Sequence, residues 1–176
     1  MNIQHSSKAD RWFTPVKIMG MVHNVIGNPD LDPSSETEAN KVVQAKYFIT
    51  EESDGLATPW THGSIFLNPP GGKIANKSMS ALFWSKLMDH LNSGQLTEAI
   101  YVGFSVEQLA VTQKYHELSI LDFPFCIPSE RIKFDYQGGL EKSAPSHSNC
   151  IVYIPGTVNH TDKFIEVFSK LGKCKR

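Results

Sequence analysis

Apolar residues Val16, Ile18, Met19, Val22, Val25 and Ile26 recur at helical spacing behind Thr14-Pro15. This predicts a first helix with Thr14 as N-cap, Pro15 at the first helical position and an end at Gly27. A short strand centred on Leu31 then runs into Asp32-Pro33-Ser34-Ser35, and Glu36 to Ala45 can be helical. Tyr47-Phe48-Ile49 and Ile65-Phe66-Leu67 are apolar triplets of the kind buried in parallel sheets. Leu82, Phe83, Leu87, Met88 and Leu91 mark a helix from Met79 that Gly94 interrupts. Ala99 to Val102 reads as the next strand, and Ser105 with Gln108 has the spacing of a capping box opening a helix to about Leu118. Ile120 to Phe125, Ile132 to Phe134 and Cys150 to Ile154 read as further strands, and Asp162 to Leu171 as a closing helix stopped by Gly172.

Alternating strands and helices with short connections predict a single α/β domain over residues 1–176. The expected sheet is mostly parallel, covered by helices on both faces, with an antiparallel hairpin added by the strand-rich C-terminal part. In such sheets ligands sit at the carboxyl ends of strands, where the loops after Leu31, Ile49, Leu67 and Val102 would converge.

Composition changes this picture little. The chain has 176 residues, enough for a real core, and is 40% hydrophobic and 20% charged, as ordinary globular proteins are. No apolar run approaches the roughly 18 to 20 residues of a membrane span, and Met1 to Asp10 is polar rather than signal-like, so a cytoplasmic protein is expected. Cys126, Cys150 and Cys174 form no Cys-x-x-Cys pair and read as reduced structural thiols. The net charge of −1, from 17 Lys plus Arg against 18 Asp plus Glu, advertises no polyanionic partner, so any nucleic-acid contact must be local. Candidates are Lys73, Lys77 and Lys86, Arg131 with Lys133, and the tail Lys170, Lys173, Lys175 and Arg176.

The chemistry concentrates at Asn68-Pro69-Pro70. Two prolines after an apolar strand hold the backbone extended and offer carbonyls without donors. An exocyclic amine on a base has two N–H groups, and the Asn68 side-chain oxygen with the Pro69 carbonyl could accept both. Held so, the nitrogen presents its lone pair for in-line attack on a sulfonium methyl group, and the protein's work is positioning and electrostatics.

Four short motifs surround that loop in order: Trp12-Phe13-Thr14-Pro15, Asp32-Pro33-Ser34-Ser35, Asp54-Gly55-Leu56 with Trp60, and Asn68-Pro69-Pro70. In order and spacing they resemble the phage-type DNA adenine-N6 methyltransferase family, and Arg131-Ile132-Lys133-Phe134 and the Ser148 to Ile154 segment look like that family's arginine-containing and closing segments. The resemblance covers roughly Arg11 to Gly156. It implies a Rossmann-like S-adenosylmethionine-dependent methyltransferase fold, S-adenosylmethionine as cofactor, and DNA as partner, with a single-stranded or flipped base as substrate.

By the same resemblance Asn68, Pro69 and Pro70 are the catalytic loop. Thr14, Pro15, Asp32, Pro33 and Ser34 would hold the methionine part of the cofactor, where an acidic turn suits its cationic groups. Glu51 or Glu52 would accept the ribose hydroxyls, and Asp54 would face the adenine ring. Lys73 and Arg131 are the expected substrate contacts, the latter through its planar fork. Trp12, Trp60 and Phe66 read as core aromatics. Gly71 departs from the family pattern, which has an aromatic there that stacks on the target base, so Phe66 or another ring must replace it. Two readings remain open, an active DNA adenine-N6 methyltransferase and a catalytically weakened relative that binds the cofactor or DNA. A hydrolase reading fails because Glu107 stands where a nucleophile elbow after Gly103-Phe104-Ser105 needs glycine. The seven histidines show no metal-ligand spacing.

Overall fold

The computed structural model describes residues 12–61, 63–136 and 147–176. In chain order the elements are β1 (Trp12–Phe13), α1 (Val16–Ile26), β2 (Leu31–Asp32), α2 (Thr37–Val43), β3 (Tyr47–Phe48), β4 (Gly63–Leu67), β5 (Lys73–Ile74), β6 (Lys77–Ser78) and α3 (Met79–Asn92). They continue with β7 (Leu96–Gly103), α4 (Gln108–Val111), β8 (Phe125–Pro128), β9 (Asp135–Tyr136), β10 (Cys150–Pro155), α5 (Thr161–Phe168) and β11 (Gly172–Lys175).

Seven strands form one α/β sheet in the order β11-β8-β10-β7-β4-β2-β3. The N-terminal half is parallel: β2 pairs with β3 and β4, and β4 with β7, in a register that places Leu67 opposite Tyr101. The C-terminal half is antiparallel, β10 lying between β7 and β8 and β11 on the outer edge of β8. The expected α/β sheet is thus present as a mixed one, parallel over its N-terminal strands and antiparallel toward the C-terminal edge. The expected C-terminal hairpin is instead three strands that are not consecutive neighbours, because α5 intervenes between β10 and β11.

Alternation along the strands separates two apolar layers. Phe66, Ile100, Val102, Ile151 and Tyr153 pack with Ile18, Met19 and Val22 of α1 and Phe164 and Phe168 of α5. On the other face Ile65, Leu67, Ala99, Tyr101 and Val152 meet Phe83, Trp84, Leu87 and Met88 of α3. Phe66, 1% exposed, is core as expected, and so is Trp60, whose indole N–H donates to the Gly55 carbonyl at 2.8 Å while its ring stacks near Phe83. Trp12, at 36% exposure, is not a core ring, since its two-residue strand pairs only with β9 outside the main sheet. Cys126 and Cys150 are buried, and burial pushes both thiols up, Cys150 to about 12, which fits inert packing residues. Among the described residues no helix is long and apolar enough to cross a membrane.

Several local expectations yield to competing hydrogen bonds. Ser105 opens no capping box with Gln108; its hydroxyl accepts the Glu107 N–H at 3.1 Å, and the helix after it stops at Val111 before a 3-10 turn at Thr112–Lys114. A true capping box forms between Ser119 and Asp122, and it turns Ile120–Asp122 into a 3-10 helix, delaying the strand to Phe125. Ile132 to Phe134 forms no strand; its backbone is drawn to Asn149, whose carbonyl oxygen accepts the Ile132 N–H at 3.1 Å. The last helix ends at Phe168, and Gly172, expected only as a stop, begins β11 because Lys173 and Cys174 find partners on β8.

Asn149 is 3% exposed and also donates to the carbonyls of Gly103 and Phe104, at 3.4 and 3.2 Å. Its side chain thus ties the end of β7 to the segment after β8. Asn149→Ala strands three buried backbone groups and is expected to lower the unfolding free energy by about 2–3 kcal/mol. Urea denaturation followed by circular dichroism measures it; a loss within ~0.5 kcal/mol would show the three groups to be satisfied without Asn149.

Candidate functional site

The chain leaves β2 through α2 for β3 on one side and returns through the 3-10 turn at Glu51–Ser53 to β4 on the other; α2 and α3, the helix that follows β4, pack on opposite faces of the sheet. Such a reversal opens a crevice beyond the carboxyl ends of the two central strands. Two of the sequence motifs stand there: β2 ends in Asp32-Pro33-Ser34, and β4 ends in Asn68-Pro69-Pro70.

The Thr14-Pro15 segment reaches the same place, although not as expected. Pro15 is the N-cap of α1 and no side chain caps that helix; the Pro15 carbonyl receives the Ile18 and Met19 N–H groups. The Thr14 hydroxyl, freed from capping, accepts the Asn68 side-chain N–H at 3.2 Å, and the Trp12 carbonyl accepts from the same nitrogen at 3.2 Å. Thr14 is buried. The donor end of the Asn68 amide is thus committed, and its oxygen end turns away as an acceptor.

Asp32 is 2% exposed and accepts the Ser34 N–H at 3.1 Å. Burial disfavours its charged form and raises its pKa from 3.8 to about 7, against the smaller opposing pull of the Ser34 N–H and the neighbouring Ser35 hydroxyl. A carboxyl so placed is poorly matched to an empty interior and well matched to an incoming cation.

The third motif closes on the second by direct contact. A Cβ at Gly55 would lie 1.9 Å from the Pro33 carbonyl oxygen, so only glycine lets the Asp54-Gly55-Leu56 loop come this near. Lys86 of α3 holds that loop from below: its ammonium donates to the carbonyls of Gly55, Leu56 and Thr58 at 3.0, 2.7 and 2.6 Å and sits 5.2 Å from the Trp60 ring centre. Burial lowers its pKa and nearby Asp54 opposes that shift. Lys86, a candidate for nucleic-acid contact on sequence alone, is therefore a clamp inside the fold. Asp54 spends one carboxylate oxygen on its own turn, accepting from Leu56 N–H at 2.9 Å and Ala57 N–H at 3.3 Å. Glu51 and Glu52 lie exposed on a 3-10 turn just after β3, on the outer side of the β2 loop.

Beyond Pro70 the chain forms an element the sequence pattern did not disclose. β5 and β6 make a hairpin whose two turn residues, Ala75 and Asn76, both have positive φ, 48° and 64°, as a type I′ turn requires. Lys73 and Lys77 are exposed on it. Asn76 was the available signal, obscured because Ala rather than Gly completes the pair. A Cβ at Gly71 would meet nothing within 4 Å, whereas Gly72, at φ +88°, needs its glycine. Arg131 is exposed beyond the end of β8, in the segment that Asn149 ties to β7. A second network runs from Ser78 to Ser80 to Gln108, with the Tyr115 hydroxyl oxygen accepting the Ser78 N–H at 3.1 Å, and fixes the start of α3 against the loop after β7.

Asp32 links stability to pH. Unfolded, it titrates near 3.8, and folded near 7, so the native state binds the extra proton between these values and stability falls as pH rises from about 4 to 7. Asp32→Asn mimics the neutral acid. It is expected to raise the unfolding free energy over wild type by on the order of 2–4 kcal/mol at pH 8 and by nearly nothing at pH 4. Urea titrations at both pH values test this; an equal difference at the two would remove the buried carboxylate as the cause.

Residues 2–96 match the model of the family described as DNA N-6-adenine-methyltransferase (Dam), a span that includes all four motifs of the crevice. No curated protein and no solved structure matches the chain.

Proposed function

The chain belongs to the DNA N-6-adenine-methyltransferase family, and we propose that it transfers a methyl group from S-adenosylmethionine to an exocyclic base amine in DNA, N6 of adenine. The observation that carries this reading is the committed donor end of Asn68, which leaves the Asn68 Oδ1 as an acceptor beside two prolines that have no N–H to compete. The fold fits a Rossmann-like methyltransferase, with the crevice at the β2 and β4 ends as the place for the cofactor.

The buried Asp32 fits the cofactor on charge: ionised, it pairs with an ammonium or sulfonium group that replaces the water it has lost. Ser34 and Pro33 would shape that turn and Thr14 and Pro15 close it from the α1 side, while Glu51 or Glu52 would accept the ribose hydroxyls and Asp54 would face the adenine. S-adenosylmethionine supplies the electrophilic methyl group. Asn68 Oδ1 and the Pro69 carbonyl accept the two N–H groups of the target amine and keep its lone pair aimed across the crevice, while Pro70 keeps the strand extended. Methyl transfer would leave the amine nitrogen cationic with both protons still on it, and one of these, hydrogen-bonded to Asn68 Oδ1 or the Pro69 carbonyl, would then be lost to water. Lys73 and Arg131, both exposed, suit phosphate contacts.

Gly71 favours a second reading, a weakened relative that binds cofactor or DNA without turnover. Incubation with methyl-labelled S-adenosylmethionine and single- or double-stranded DNA separates the two. The enzyme transfers label, and Asn68→Ala reduces that transfer roughly a hundredfold or more with cofactor binding intact; cofactor binding without transfer selects the second reading, and absence of both overturns each.

The titration of Asp32 adds a further expectation. S-adenosylhomocysteine, which carries the same ammonium, binds more tightly as pH rises from 6 to 8 through the value near 7, because the free protein no longer has to lose a proton. Calorimetric titrations would show a flat profile in Asp32→Asn, and a flat profile in the wild type would detach Asp32 from the ammonium.

A further inference from the structure

If the crevice accepts a base amine, something must hold the face of that base, and position 71 offers no ring. Phe66 cannot serve, being 1% exposed in the core. Among the described residues, four of the exposed large apolar side chains follow or flank the motif strands: Trp12 in β1, Ile74 in β5, and Phe104 and Val106 after β7. The question is which ring faces the acceptor end of Asn68.

Trp12 meets the site through its backbone. Its carbonyl receives the Asn68 nitrogen, so it flanks the donor end of the amide, and the acceptor oxygen turns away from it. On the other side of β4 runs β7, and the last paired positions are Leu67 and Tyr101. Pro70 and Phe104 are each three residues beyond that pair, one on either strand extension. Continued past its last pair, that register sets the backbone of Phe104 level with Pro70, one strand away.

Its backbone is fixed and its ring is not buried. Asn149 holds the Gly103 and Phe104 carbonyls, and the Val106 N–H donates to the Ser148 carbonyl at 2.8 Å. The side chain nonetheless keeps 40% of its surface exposed, with an edge contact to His147 at 6.0 Å and 82°. A large apolar ring held in the open on a hydrogen-bonded backbone, at the strand end next to that of the two prolines, is what a stacking platform for a planar base requires.

We propose that Phe104 is the base-stacking residue of this site, taking the part of the aromatic that Gly71 lacks, with an unpaired or flipped purine as its ligand. The inference rests on the methyltransferase reading. Phe104 holds the face of the base while Asn68 and Pro69 hold its amine, so the platform has moved from the catalytic loop to the adjacent strand end.

The test uses the full chain with S-adenosylhomocysteine and a fluorescein-labelled, adenine-containing single-stranded oligonucleotide, read by anisotropy, alongside methyl-transfer kinetics. Phe104→Ala is expected to weaken oligonucleotide binding, and to raise KM for DNA, roughly ten- to a hundredfold. Phe104→Trp should stay within about threefold of wild type and Phe104→Leu should resemble the alanine variant, because stacking needs a π face rather than bulk. Gly71→Tyr enters open space and should recover much of the loss in the Phe104→Ala background. Unchanged S-adenosylhomocysteine affinity and melting temperature in Phe104→Ala would separate stacking from structure. Wild-type-like binding by Phe104→Ala, or full retention by Phe104→Leu, would overturn the assignment while leaving the methyltransferase reading standing. A wild type that neither binds DNA nor transfers methyl groups would overturn both, and a larger loss in Trp12→Ala than in Phe104→Ala would move the platform to Trp12.

Discussion

A primary amide has a donor end and an acceptor end, and fixing one fixes the other. In this protein the Thr14 hydroxyl and the Trp12 carbonyl both take the Asn68 nitrogen, so the direction of its oxygen follows from a segment more than fifty residues earlier in the chain. The start of α1, the end of β4 and the two prolines depend on that one orientation. Without it the loop would be a rigid turn with no chemical polarity.

The second constraint is the cost accepted at Asp32. A carboxyl 2% exposed with a pKa near 7 works against the stability of the empty protein. Its neighbours do not neutralise it; they supply only a backbone N–H and a hydroxyl. Packing elsewhere carries the deficit, through two continuous apolar layers on either face of β4 and β7. The loops that carry chemistry are then pinned by contacts with little freedom, Gly55 against the Pro33 carbonyl and Lys86 beneath three carbonyls.

Much of this was legible in the sequence and some was not, for identifiable reasons. The α1, α3 and β4 assignments rested on long or fully apolar periodic runs, where burial and propensity agree. The crevice motifs were found by order and spacing, and the crevice brings them together. Ile120 to Phe125 and Ile132 to Phe134 misled because their apolar content is strand-like while Ser119, Asp122 and Asn149 offer the backbone better local partners. β11 was hidden because an edge strand that alternates lysine with small residues has no apolar signature. Lys86 looked like a surface charge since nothing in sequence tells a clamp from a solvated lysine. Phe104 entered only within the rejected nucleophile-elbow spacing, and it takes the β4 to β7 register to set it level with Pro70.

Helix α3 has a place in both halves of the crevice. At its start the Met79 N–H donates to the Gly72 carbonyl and the Ser78 N–H meets the Tyr115 hydroxyl, so the lysine-bearing hairpin is seated on it. Two turns further on, Lys86 grips the loop that closes over Asp32 and Pro33. The lips of the cleft on the two sides are thus mounted on a single rod. A shift of that rod along or about its axis displaces both at once, so the molecule has no route by which one lip opens while the other stays wholly still.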